Sequence, residues 1–122
     1  MKIDIAKTFD DATADCRARD SHLVEPRSQE INNIAKVLTD TDMAVWIGLK
    51  RVTHEGEFLW QTDNAPLVYD DWHPGKPREG ELLNCVVINM KILYAWNNKD
   101  CNLKREYVCQ SESSPEYFIT IY

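Results

Sequence analysis

The sequence predicts an α+β domain: two early helices, then short antiparallel strands around one long irregular loop. Three observations carry that prediction. Apolar residues recur at helical spacing twice in the first third of the chain, at Phe9, Ala12 and Cys16 and at Ile31, Ile34, Ala35 and Leu38. Short apolar runs follow at 45–49, 58–60, 85–88, 93–96 and 107–109, each the length of a strand. Between Trp60 and Cys85 all periodicity stops.

The elements follow in order. Ile3 and Ile5 alternate with Lys2 and Asp4, a short strand pattern. Thr8 is placed to cap the first helix, with Asp11 three residues on, and that helix should end near Arg19-Asp20. Leu23-Val24 is a short extended piece, stopped by Pro26, which biases Glu25 away from helix. Ser28 caps the second helix, and Thr39-Asp40-Thr41-Asp42 ends it. Val45 to Leu49 reads as a buried strand, and Phe58-Leu59-Trp60 as another. The stretch from Gln61 to Asn84 holds Pro66, Pro74, Pro77, Gly75 and Gly80 with many acids. An irregular segment of that length in a compact domain is usually functional. Strands resume at Cys85, Leu93 and Tyr107, and the end of the chain, Tyr117 to Tyr122, has high β propensity. It could add a strand or form a sticky edge for a homodimer. Residues 1–110 are expected to form the domain and 111–122 a tail.

Composition narrows the function. The chain has 122 residues, 43% hydrophobic and 28% charged, which suits one globular domain. A net charge of −6 argues against a nucleic-acid binder that works by neutralising phosphates. No apolar run approaches the length of a membrane span, and the start MKIDIA does not read as a signal peptide. The four cysteines, Cys16, Cys85, Cys101 and Cys109, form no CxxC, and His22, His54 and His73 form no HExxH. Two disulfides in a secreted or extracellular domain is the leading reading, and four Cys leave three connectivities open. No nucleophile has a base and an orienting group in one segment, so no enzyme is expected.

Specific motifs then accumulate. Trp46-Ile47-Gly48-Leu49 resembles the WIGL signature of the C-type lectin-like domain. The helix ending in Cys16 with His22-Leu23-Val24 after it, Gly56 to Trp60, Trp72, Pro77, Cys85, Trp96, Cys101 and Cys109 follow in that family's order. The resemblance covers roughly 100 residues. It implies the pairs Cys16–Cys109 and Cys85–Cys101, a cis Pro77, and a short form without the extra N-terminal disulfide. It also implies that Trp46, Trp60 and Trp96 are core, with Trp72 half exposed on the loop.

Family lectins hold sugar through calcium in the long loop, and calcium needs six to eight oxygen ligands. The triplet of acid or amide, Pro, and Asn or Asp is here Lys76-Pro77-Arg78. The glutamate position is Leu83, and the later pair is Asn97-Asn98. The aspartate of the auxiliary site corresponds to Arg51. Cations at Lys76 and Arg78 would repel a metal, so no calcium or other cofactor is expected. A shifted register bringing Glu79 or Glu81 into the glutamate position leaves that repulsion in place. Glu55 and Glu79 are the weaker alternative metal set. The expected function is recognition of a protein or glycan ligand, anionic if Lys76, Arg78 and Lys99 form one patch. Candidate ligand-binding residues are Asp71, Trp72, Lys76, Pro77, Arg78, Glu79, Asn84, Asn97 and Asn98. The alternatives are a lectin with a rebuilt calcium site or direct sugar contacts, and a structural or matrix component.

Overall fold

The computed structural model describes residues 5–38, 44–89, 95–111 and 119–121. Among these residues two helices, α1 (Phe9–Ala18) and α2 (Gln29–Leu38), accompany seven strands. These are β1 (Ser21–Leu23), β2 (Ala44–Lys50), β3 (Leu59–Trp60), β4 (Cys85–Asn89), β5 (Ala95–Lys99), β6 (Glu106–Ser111) and β7 (Ile119–Ile121). The main sheet runs β1-β6-β2-β4-β5, with β3 paired to β2 and β7 to β6. The strands were expected to be antiparallel, and all pairs are except β2 with β6, which is parallel. That pair brings strands far apart in sequence together, so no hairpin signal announces it. The expected strand at Ile3 and the helix stop at Thr39–Asp42 lie outside the described residues, as do Leu93 and Tyr94.

Local signals explain both helices. The Thr8 hydroxyl accepts from the Asp11 N–H at 3.3 Å, and Ser28 does the same for Ile31 at 3.2 Å. Each cap satisfies one of the first-turn N–H groups that a helix cannot pair internally. Phe9, Ala12 and Cys16 are buried together on one face of α1. They meet Trp46, Val87, Tyr107 and Cys109 on one side of the sheet. On the other side Val24, Ala35, Val45, Ile47, Leu49, Trp60, Val86, Ile88 and Trp96 form a second cluster. Strand β2 feeds both clusters by alternation.

Two disulfides frame these layers, Cys16–Cys109 from α1 to β6 and Cys85–Cys101 beside β4. They are the pairs that the resemblance implied. Trp46, Trp60 and Trp96 are buried, and Trp72 is half-buried.

Gly48 sits where β1, β2 and the start of the long loop press together. An added Cβ would lie 2.9 Å from the Leu23 carbonyl oxygen and 3.0 Å from Glu25 Cγ. The Glu25 carboxylate, 3% exposed, accepts from the Thr62 N–H at 2.9 Å and the Thr62 hydroxyl at 2.8 Å. Gly48→Ala is therefore expected to destabilise by about 1–3 kcal/mol through overpacking. A lower urea midpoint with unchanged slope would verify it, and an unchanged midpoint would contradict it.

Candidate functional site

The long loop, residues 61–84, is held at three levels. Its first part is tied by Glu25 to Thr62 and by Arg27 to Asp63 at 3.0 Å. Arg27 and the Asp63–Ala65 turn hold the Asp63 carboxyl below its ordinary range, the backbone N–H of Ala65 contributing most.

The middle of the loop rests on Asn32 of α2, which is fully buried. Its Oδ1 accepts from Trp96 Nε1 at 3.1 Å, and its Nδ2 donates to Tyr69 Oη at 3.1 Å and Asp71 Oδ2 at 2.8 Å. Lys36 pairs with the same Asp71 oxygen at 2.8 Å. Burial first, then the Asp71 charge, pushes the Tyr69 phenol above its ordinary pKa. The backbone at 71–73 pairs with Trp96 like an added strand, with N···O distances of 2.8 and 2.9 Å. Trp72 packs on Phe58 and Trp96 at centroid distances of 5.1 and 5.7 Å. Asp71 and Trp72, two candidate ligand residues, thus hold the loop to α2 and β5. Asp71 is committed to that ion pair with Lys36.

Asn32→Leu would leave the buried Trp96 N–H without an acceptor and take from Asp71 its amide donor, leaving the ion pair with Lys36. We expect a loss of about 2–3 kcal/mol and faster proteolysis between residues 69 and 84. Unchanged proteolysis would show that α2 does not anchor the loop.

The far part of the loop closes on two side chains. Arg51 is only 5% exposed. Its Nε donates to Asn84 Oδ1 at 3.0 Å, and one terminal nitrogen donates to the Leu83 and Gly80 carbonyls at 3.2 and 3.4 Å. Its guanidinium lies 4.7 Å from the Phe58 ring centroid. Asn98, 2% exposed, accepts from the Arg78 N–H at 2.7 Å and donates to the Arg78 and Leu83 carbonyls at 2.7 and 2.9 Å. Asn84 also donates to the Glu81 carbonyl at 3.0 Å. Asn97 is 5% exposed, and its Nδ2 has no partner among the described residues.

Beyond these anchors lies the tip. Gly75, Pro77, Arg78 and Glu79 are exposed and Lys76 is half-buried, with a cis bond between Lys76 and Pro77. Gly75 takes φ +82°, a conformation that favours glycine. Glu55 is exposed beside His54, and Glu79 stands on the loop. Among the described residues no three His, Cys, Asp or Glu side chains converge. Asn32 was the anchor that periodicity did not single out; an amide inside the apolar stripe of α2 was its signal.

The family model for the lectin C-type domain matches residues 5–111. The chain belongs to that family. A stretch of 108 residues is 32% identical to E-selectin of Equus caballus, covering 84% of this chain and 17% of that protein. The whole fold superposes on the mouse scavenger receptor C-type lectin carbohydrate-recognition domain with a TM-score of 0.79 and 28% identity, covering 93% of this chain and 88% of that one. A calcium-independent type II antifreeze protein gives 0.75 and 28%, covering 86% and 78%. The proteins that this C-type lectin domain resembles thus include both a carbohydrate-recognition domain and a calcium-independent antifreeze protein. Domains of the family are in general recognition modules rather than enzymes. Among the described residues no helix is long and apolar enough to cross a membrane.

Proposed function

We propose that this C-type lectin domain is an extracellular recognition module whose long loop binds a glycan or protein ligand without calcium. One observation carries the reading: a buried guanidinium, Arg51, already gathers the loop oxygens of Asn84, Gly80 and Leu83. A fixed internal cation bridges the loop to β2, so a second cation there would meet like charge.

The primary set fits a metal no better. Asn98 turns its oxygen toward the Arg78 N–H and uses its amide nitrogen on two carbonyls. The two residues flanking Pro77 are cations. Calcium takes six or more oxygen ligands, and among the described residues no three His, Cys, Asp or Glu side chains gather to supply its carboxylates. The calcium-independent antifreeze relative is a precedent for the fold working without calcium. The two disulfides suit an oxidising, extracellular setting.

The rigid loop leaves its tip, Lys76 to Glu79, as the surface for a partner. Binding from such a preformed loop avoids the entropy of ordering it. The test is a glycan and protein-ligand screen run with EDTA and again with calcium. Binding unaffected by EDTA and weakened by Arg78→Ala is expected. Binding that appears only with calcium would contradict the reading.

A further inference from the structure

Away from the loop tip, a cleft of about 140 Å³ lies between α1, β1, β2 and the first residues of the long loop. Its lining is largely polar and comes from separate chain segments. Arg17 stands in the last turn of α1, His22 on β1, Gly48 on β2, and Gln61 and Thr62 where the loop leaves β3, with Glu25 beside them. None of the tip residues 76–79 lines it.

Hydrogen bonds fix most of this lining. His22 Nδ1 lies 2.7 Å from the Leu23 carbonyl oxygen. A carbonyl only accepts, so Nδ1 carries the proton, and in the neutral ring Nε2 is an acceptor. Gln61 Nε2 donates to the Leu59 carbonyl at 2.9 Å, and the Gln61 N–H to the Gly48 carbonyl at 3.0 Å. The buried Glu25 carboxylate is already held by the N–H and hydroxyl of Thr62 and by Arg27 at 3.4 Å. Gly48 adds no side chain, and a Cβ there would press on Leu23 and Glu25. The Cys16–Cys109 bridge fastens α1 to β6, the strand that pairs with β1. Among the described residues the Arg17 guanidinium, His22 Nε2 and Gln61 Oε1 make no bond, so a donor fork and two acceptors line the cleft uncommitted.

Opposed charges decide the class of occupant. An anion here meets the Glu25 carboxylate, and a cation meets Arg17. Hydroxyl groups suit the set, because each both donates and accepts. We propose that this cleft binds one small neutral polyhydroxyl ring, a single sugar unit, by direct hydrogen bonds and without a metal. Its volume is below the about 300–1,000 Å³ of sites for larger ligands, which limits the occupant to one unit. The inference goes beyond the reading of the long loop and does not rest on it. Walls fixed before binding spare the entropy of ordering them. A few hydrogen bonds made in competition with water give an affinity in the millimolar range.

The test is amide chemical-shift mapping of the isotope-labelled chain in EDTA, repeated with calcium. The probes are methyl glucoside and methyl galactoside, with glucuronate and glucosamine as charged rings of similar size. Saturable shifts at the amides of His22, Gly48, Gln61 and Thr62, the same with and without calcium, are expected for one or both methyl glycosides. The charged rings should bind equally or more weakly. Arg17→Met and Gln61→Met should each weaken binding about fivefold, while Arg78→Ala at the loop tip should bind as the parent does. Arg17 is exposed, so its variant should keep the fold. If Gln61→Met does not fold, Arg17→Met and the shift map of the unmodified chain decide the question. No saturable shift at those amides with either glycoside, tighter binding of a charged ring, full affinity in Arg17→Met, or shifts confined to residues 76–79 would overturn the proposal.

Discussion

Arg51→Met is expected to lower stability by about 2–4 kcal/mol and to release the long loop. Methionine keeps much of the stem that packs on Phe58 but removes all three donors. The Asn84 side chain and the Gly80 and Leu83 carbonyls then lose the cation that gathers them. Leu83 retains its bond from Asn98, so the loop should loosen rather than detach. Arg51→Lys should recover only part of the loss, since one ammonium does not reproduce a planar fork reaching three oxygens. Urea unfolding gives the energy, and amide exchange over residues 78–84 reports the local effect. A change within about 0.5 kcal/mol, the range of ordinary surface substitutions, with unaltered exchange would show that Arg51 is not what holds the loop.

The second large effect comes from the bridge between α1 and β6. Replacing Cys16 and Cys109 together by alanine opens a loop with a sequence separation of 93 residues. Chain entropy puts the loss at about 4–5 kcal/mol, against about 3 for the bridge of separation 16 between Cys85 and Cys101. For a domain of this size such a loss is a large share of the usual total stability, about 5–15 kcal/mol. We expect the Cys16/Cys109 variant to be extensively unfolded at 37 °C. The Cys85/Cys101 variant should stay folded with a loosened base of the loop. Near-native melting of the first variant would contradict this ranking.

Much of the fold was legible because its signals are local. Caps at Thr8 and Ser28, the stripe on α1 and the apolar run of β2 each depend on neighbours within a few residues. The framework of Trp and Cys residues carried the disulfide pairing through resemblance, since spacing alone left three connectivities open. The parallel pairing of β2 with β6 had no local signature, because it joins segments about sixty residues apart.

The site was legible in part. Reading Lys76, Arg78 and Arg51 as cations in place of metal ligands took the positions from the family resemblance and the rest from charge. Asp71, Trp72, Asn84 and Asn98 were all marked as candidates for ligand contact, yet each has a bond or packing contact that holds the loop. Polar residue type does not say whether a side chain faces a ligand or its own backbone. That depends on which carbonyls a folded loop turns inward, as Gly80 and Leu83 do toward Arg51. Asn32 shows the same limit from the other direction: an amide in an apolar helix face looks like a flaw until Trp96, Tyr69 and Asp71 arrive around it.

The most direct measurement is thermal unfolding of the purified chain in EDTA and in millimolar calcium. A loop held by Arg51 and Asn98 should give the same melting temperature in both. A calcium ion bound only to the native state would add about 2.7 kcal/mol at a hundredfold excess over its Kd, a shift of several degrees for a domain of this size. An upward shift of that size would contradict the internal-cation account of the loop and make a metal-dependent site the leading explanation.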